Sequence, residues 1–377
     1  MVRGGGVQEI VRDLRRGLVA RGHEVKIITP KPRDMGDTDV EAEGIIFLGN
    51  GADFRSPLQT VPTFSVSVDG EEIDSMLAQE KFDLLHFHEP WVPVLSRQIL
   101  SRSTSVNIAT FHAKVPETIM SRTVVQLVTP YTKSLLRYLH VLTAVSDAAA
   151  EYASTLTDEP VTIIPNGIDL PRFTKNLGQR LKQTDSAEPR TILYLGRLER
   201  RKGLKYLLQA YSQLRQSVDD VQLVLAGSGP DAEKLQLLAQ DMELPDVSFL
   251  GYVPDEVKME LLRTADVFCS PAMFGESFGL VLLEAMASAL PVVAGDNSGY
   301  SAVMQEFGSI SLVNPKDVDD FARRLKLLLN EPVLRADWQK WAKQYIQQFD
   351  YPAVIDRYED LYEYALKHHR HHIKAVQ

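Results

Sequence analysis

Apolar residues recur along this chain at two spacings. From Gln8 to Arg21 they fall at Ile10, Val11, Leu14, Leu18 and Val19, the step of an amphipathic helix. Gly22 stops that run, and His23–Thr29 (HEVKIIT) reads as a strand. The exchange repeats. Strands are predicted at Ile45–Leu48, Phe82–Phe87 (FDLLHF), Asn107–Phe111 (NIATF), Val141–Val145 and Val161–Ile164, and helices at Ile73–Gln79 and through most of Glu117–Tyr138. Residues 169–190 are polar and read as a connector. Then the pattern restarts. Strands are predicted at Thr191–Leu195 (TILYL), Val221–Ala226 (VQLVLA), Val247–Leu250, Val267–Ser270 and Pro291–Ala294. Helices are predicted at Leu204–Gln216, Val257–Thr264, Phe278–Ala289, Asp317–Leu329, Val333–Gln347 and from Pro352 through Leu366.

Strands separated by helices imply parallel sheets covered on both faces, an α/β chain. The length, 377 residues, allows two or three domains, and the restart at Thr191 selects two. Ligands of open parallel sheets sit beyond the carboxyl ends of the strands. Nearly every glycine or polar cluster here follows a strand, so two facing domains would gather those clusters around one cleft.

Composition narrows the classes. Hydrophobic residues make up 44% and charged ones 24%, enough apolar material for sizeable cores. The net charge of −9 argues against a nucleic-acid partner. The single Cys269 has no internal disulfide partner, which fits a reducing, cytoplasmic compartment. No run of eighteen uncharged apolar residues occurs. The first thirty residues carry six basic residues and no apolar signal core.

Several clusters could carry chemistry. Gly4-Gly5-Gly6 precedes a helix, where bare amides attract anions; a flexible tail is the plain alternative. Gly196-Arg197 and Lys202-Gly203 put cations on one strand–helix loop, suited to a diphosphate or, equally, to solvent, since Arg200 and Arg201 are there too. Gly275-Glu276-Ser277-Phe278-Gly279-Leu280 leads into a helix carrying Glu284. Glu276 and Glu284 either share a helical face or, with Glu276 in the preceding loop, bracket a ligand at the helix start. A carboxylate in LVLLEAMA needs a partner. His86 and His88 alternate onto one strand face and His112 ends another strand. A metal site there is disfavoured for want of further ligands. The run His368-His369-Arg370-His371-His372 reads as a solvated, partly ordered tail.

Taken in order, GGV, RGHEV, HFHEP, ATFH, PNGID, GRLERRKG, AGSGP, FLGYV, ADVFCSP, GESFGLVLLEAMA and PVVA resemble the retaining glycosyltransferases of family 4 from Gly5 to about Leu366. GGVQ and LLHFHEP are similar to the branch that mannosylates phosphatidylinositol. The resemblance implies the GT-B fold: two facing Rossmann-like domains with a cleft between them. It implies an acceptor-side domain over 1–168, a nucleotide-sugar domain over 169–349, and a helix over 350–377 that crosses back to the first. It also implies roles. Gly6, Arg197, Arg201 and Lys202 would hold the donor diphosphate, and Val253 and Lys258 would lie near the base. Glu276, Ser277, Phe278, Gly279 and Leu280 would line sugar and phosphate, and Glu284 would accept ribose hydroxyls. His112 and Glu276 would act at the sugar, with Gln8, His88 and Glu89 on the acceptor side. No metal and no tightly bound cofactor is expected; the co-substrate would be a nucleotide sugar such as GDP-mannose.

The expected reaction moves a hexose to a membrane lipid such as phosphatidylinositol, on an enzyme held peripherally at the inner face of the membrane. One departure points elsewhere. The branch carries a basic amphipathic helix before the HEP strand, whereas VDGEEIDSMLAQEKFD is acidic here. Arg12, Arg15, Arg16, Lys114, Arg122, Lys133 and Arg137 supply either weak membrane contact or a solvated face. The alternative is a UDP- or GDP-sugar transferred to a soluble sugar or polysaccharide. A further reading starts from Met1: the family places a strand before GGV, so the chain is expected to lack the first strand of its N-terminal domain. On that reading it is a truncated, inactive nucleotide binder. A sugar-nucleotide epimerase shares the fold, but Glu276 and Glu284 beside GESFG favour the transferase.

Overall fold

A computed structural model describes residues 6–31, 44–53, 63–65, 68–90, 95–114, 129–174 and 189–373. It forms two compact units, residues 1–167 with 351–377 and residues 168–350. The 117–128 part of the helical stretch expected over Glu117–Tyr138, Gly4-Gly5, Arg122 within it, and connector residues 175–188 lie outside the described residues.

In the first unit, helix α1 (Gly6–Ala20) buries Ile10, Leu14 and Leu18 along one stripe. Strand β1 (Ile27–Lys31) pairs in parallel with β2 (Ile45–Asp53), and β2 pairs antiparallel with β3 (Thr63–Ser65). The polar half of HEVKIIT stays out of β1 for a local reason. The His23 amide donates to Leu18 O at 3.2 Å and closes α1, while its ring bonds to Glu359 at 2.7 Å. Helix α2 (Gly70–Glu80) begins at Asp69, whose side chain accepts from the Glu71 amide. Helix α3 (Leu95–Leu100) follows β4 (Leu84–His88).

A four-stranded parallel sheet has the order β4, β5 (Val106–Phe111), β6 (Val141–Ala144) and β7 (Val161–Ile163). All of β5 is buried, as a parallel strand covered on both faces should be. Helix α4 (Asp147–Ser154) is capped by Ser146, which accepts from the Ala149 amide. The closing helix of this unit runs Tyr351–Ile373. Its Val354, Ile355, Tyr358, Leu361 and Ala365 share a core with Leu14, Leu18, Val106, Ile108 and Ile164. Tyr351 donates to Asp13 at 2.8 Å, and Arg21 donates to Pro352 O at 2.9 Å. His368 to His372 continue the last turns of this helix, where the exposed His368 Nδ1 bonds to Tyr364 O at 2.8 Å.

The second unit opens within the expected connector. Leu170–Thr174 forms a short helix, α5, because Leu170 and Phe173 are buried. Its sheet is parallel throughout, in the order β10 (Val247–Gly251), β9 (Val221–Ala226), β8 (Arg190–Leu195), β11 (Val267–Ser270), β12 (Val292–Gly295) and β13 (Leu312–Val313). Counted from β8, that is the doubly wound order with its switch point between β8 and β11. The helices that cover it are α6 (Leu204–Arg215), α7 (Ala232–Asp241), α8 (Asp255–Thr264), α9 (Leu280–Ala287), α10 (Ser298–Ser301), α11 (Val318–Asn330) and α12 (Pro332–Tyr345). Helix α9 starts at Leu280 and not at Phe278. Gly279, at φ 108°, caps it in a conformation that favours glycine, and a Cβ there would meet the Tyr300 ring at 2.8 Å.

Candidate active site

The loops after β8 and β11 meet at the switch point of the second unit. The first loop turns through a 3-10 segment, Arg200–Lys202, and ends at Gly203, with φ 71°. Only glycine fits there, since a Cβ would come within 2.1 Å of Pro271 O on the neighbouring loop. Two bonds clasp the loops: the Met273 amide donates to Arg201 O at 2.9 Å, and Arg201 Nη1 donates to Gly275 O at 3.1 Å. Beneath them, buried Tyr194 donates its hydroxyl to Arg197 O at 2.7 Å.

This clasp brings the loop charges together. Glu276 Oε1 lies 2.8 Å from Lys202 Nζ and also binds Arg201 Nη1. Glu276 stands in the loop before α9, so it shares no helical face with Glu284. Burial works against the Arg201 charge, but Glu276 and Glu199 overcome it and raise its pKa above the ordinary value. Sequence reasoning missed Glu199. It is 5% exposed, lies 2.7 Å from Arg201 Nε and 3.6 Å from Arg197 Nε, and orients the Arg201 guanidinium. The signal was an acid inside the basic run GRLERRKG, since a buried carboxylate needs a cation beside it.

Further along α9, Glu284 finds the partner its apolar helix requires. Lys258 Nζ on α8 donates to Glu284 Oε1 at 2.9 Å and lies 3.5 Å from Asp255. Burial works against the Lys258 charge, but Glu284 and Asp255 outweigh it and raise its pKa, leaving the ammonium favoured. Val253 is half-buried in the turn between β10 and α8. Phe278 is 4% exposed and packs edge-on against Phe349, with ring centres 5.9 Å apart, so only its backbone is open to a ligand. Ser277, Gly279 and Leu280 are half-buried at the start of α9. No side chain caps that start, which leaves its first amides to an anion.

The first unit holds the other cluster. The chain leaves β4 through Glu89, a non-glycine residue at φ 55°. Glu89 Oε1 accepts the amides of His112 and Ala113, each at 2.6 Å, and so fixes the end of β5. His88 Nδ1 and His112 Nε2 are 2.8 Å apart. His86 bonds to Tyr362 at 2.8 Å and to Thr110 at 2.6 Å. Burial depresses all three imidazoles, His88 to about 4, so they are neutral near pH 7. Gly6 is the first residue of α1, and Gln8 is exposed on its first turn. Among the described residues no group of His, Cys, Asp and Glu side chains could hold a metal ion, and no helix is long and apolar enough to cross a membrane.

Comparison with known proteins agrees with this layout. Residues 4–172 match the profile described as Glycosyltransferase Family 4, and residues 179–345 match Glycosyl transferases group 1. The phosphatidyl-myo-inositol mannosyltransferase of Mycolicibacterium smegmatis is 32% identical over 365 residues, 95% of this chain and 90% of its own length. The sulfoquinovosyl transferase SQD2 of Arabidopsis thaliana is 30% identical over 76% of this chain and 57% of its own. Among solved structures, sucrose-phosphate synthase from Thermosynechococcus elongatus has a TM-score of 0.75 at 22% identity, covering 96% of this chain and 93% of its own. With two Rossmann-like units and a charged loop pair at the switch point, the chain belongs to the glycosyltransferases of family 4 and is a glycosyltransferase of the GT-B fold.

Proposed function

We propose that the protein transfers a hexose, with retention, from a nucleotide sugar, and that the donor is GDP-mannose and the acceptor a membrane lipid such as phosphatidylinositol. The observation that carries the donor half is the meeting of Arg201, Lys202 and Glu276 at the start of α9. Breaking the sugar–phosphate bond leaves an anionic diphosphate and an electron-poor sugar. Arg197, Arg201, Lys202 and the first amides of α9 stabilise the diphosphate, as does the Gly6 amide. Glu276 takes sugar hydroxyls, Glu284 takes ribose hydroxyls, and Val253 and Lys258 lie by the base. His112 contacts the sugar, while Gln8, His88 and Glu89 serve the acceptor side. The mannose and lipid assignments lean on the similarity to the phosphatidyl-myo-inositol mannosyltransferase of Mycolicibacterium smegmatis.

A second reading keeps the donor site and takes a soluble sugar or polysaccharide as acceptor. The acidic first turn of α2 favours it. So does the local use of basic side chains: Arg15 donates to Val25 O at 3.1 Å, Arg16 pairs with Asp13 at 2.9 Å, and Lys114 with Glu151 at 3.4 Å. Incubation with labelled GDP- and UDP-hexoses, each with phosphatidylinositol vesicles or a soluble glycan extract, separates the two. Labelled lipid from GDP-mannose supports the first reading, labelled glycan alone supports the second, and transfer from no donor refutes both.

Two substitutions test the donor loop. Glu276 occupies the cations that a diphosphate would need, so Glu276→Gln is expected to bind free nucleoside diphosphate as tightly or more tightly. The same change should lower kcat/KM by about 10–100-fold through lost sugar contacts; weakened binding of the free diphosphate would contradict the assignment. Glu199→Gln removes the charge that aims the Arg201 guanidinium, and kcat/KM should fall about 10-fold. Calorimetry should show weaker diphosphate binding in this variant, the opposite of Glu276→Gln.

A further inference from the structure

Three imidazoles stand in a row in the first unit. The rings of His86 and His88 are 4.2 Å apart between centres, and those of His88 and His112 are 5.1 Å apart. One end of the row is tied to its surroundings by hydrogen bonds. His86 Nε2 lies 2.6 Å from the Thr110 hydroxyl, which also bonds to Thr143 at 2.5 Å and to Tyr358. His86 Nδ1 lies 2.8 Å from the Tyr362 hydroxyl. The row is anchored to the closing helix through Tyr358 and Tyr362.

Among the described residues the other end has a single ring-to-ring bond, His88 Nδ1 to His112 Nε2. With both rings neutral, one nitrogen donates and the other accepts. His112 Nδ1 is buried without a hydrogen-bond partner among the described residues, on a side chain only 6% exposed. A donating His88 would leave an orphaned N–H at that atom. A donating His112 leaves a bare lone pair there, and orphaned buried N–H groups are the rarer of the two. Glu89 already fixes the His112 backbone, so the remaining freedom is the choice of tautomer.

We propose that His88 is a positioning residue for sugar transfer: it accepts the His112 Nε2–H and so fixes, at His112 Nδ1, a lone pair that receives a hydrogen bond from a sugar hydroxyl. The proposal rests on the reading of His112 as a sugar contact. It explains the unpartnered buried nitrogen, a group that otherwise costs stability.

Nitrogen NMR of the 15N-histidine-labelled protein tests the bond directly. His112 should show a protonated Nε2 and an unprotonated Nδ1; the reverse pattern overturns the proposal. His88→Phe keeps a ring in the stack but removes the acceptor. It should mix the His112 tautomers and lower kcat/KM about tenfold while leaving the Kd for free nucleoside diphosphate unchanged. His88→Gln, which offers a carbonyl oxygen, should restore the Nε2–H state. A series of singly deoxygenated donors adds a readout that a purely structural role would not move. On the donor lacking the bonded hydroxyl, native protein and His88→Phe should react at equal rates. An unchanged tautomer in His88→Phe, or the same penalty on every donor, overturns the proposal. If no sugar nucleotide reacts, the functional reading falls while the NMR still decides the His88–His112 bond.

Discussion

Lys202→Ala is expected to lower kcat about 10²–10³-fold. The Lys202 side chain is 13% exposed and its ammonium lies 2.8 Å from Glu276, in a loop whose exit, Gly203, admits no other residue without a clash. Once the bound diphosphate has displaced Glu276 from the ammonium, this point charge needs no further reorganisation as negative charge builds on the leaving group. Its contribution is therefore larger at the transition state than in the bound donor, and the loss falls on kcat more than on KM. Lys202→Arg should recover little, because a planar fork cannot replace a compact ammonium in a half-buried loop. Steady-state kinetics with a saturating donor, alongside a melting curve for folding, gives the comparison. A change confined to KM would show that Lys202 binds donor and transition state equally.

Acidification should destabilise the first unit by about 3 kcal/mol through His88 alone between pH 6.5 and pH 4. The sign follows from proton binding. In the unfolded chain His88 takes up a proton near pH 6.5, whereas burial depresses the folded value to about 4. Between these values the unfolded state holds more protons, so stability falls as pH falls. The contribution is complete above pH 6.5 and gone below about 4. His86 and His112 are depressed in the same direction, chiefly by burial, and add to the loss. Amide exchange in β4 and β5, measured from pH 7 to pH 4, should speed up accordingly. His88→Gln should flatten part of that dependence; an unchanged profile in this variant would mean that His88 is not a source of it.

Most elements were legible because their patterns are local. Val221–Ala226 and Val267–Ser270 are strands over the ranges the apolar runs indicate. Helix α7 was missed because AEKLQLLAQD buries only Leu235 and Ala239. The two-residue β13 is too short to show any period. In the candidate site, the cation loop, the GESFG loop and the strand-end histidines were all visible as residue types after strands. Their pairings were not. Glu276 and Glu284 are eight positions apart, yet one meets Arg201 and Lys202 and the other meets Lys258. Glu199 reads as one more charge in a polar loop, and only its burial shows that it supports Arg201.

By itself, then, the sequence determined the alternation of strand and helix, the restart into a second unit, and the family, because each depends on short-range pattern or on motifs in order. Tertiary structure alone decided which charges meet. Arg201 and Glu276 stand 75 positions apart and become neighbours only because β8 and β11 adjoin across the switch point of a doubly wound sheet. The histidine row has the same origin. β4 and β5 lie side by side in register, His88 opposite Thr110, which carries His112 to His88 and leaves one buried nitrogen to be explained.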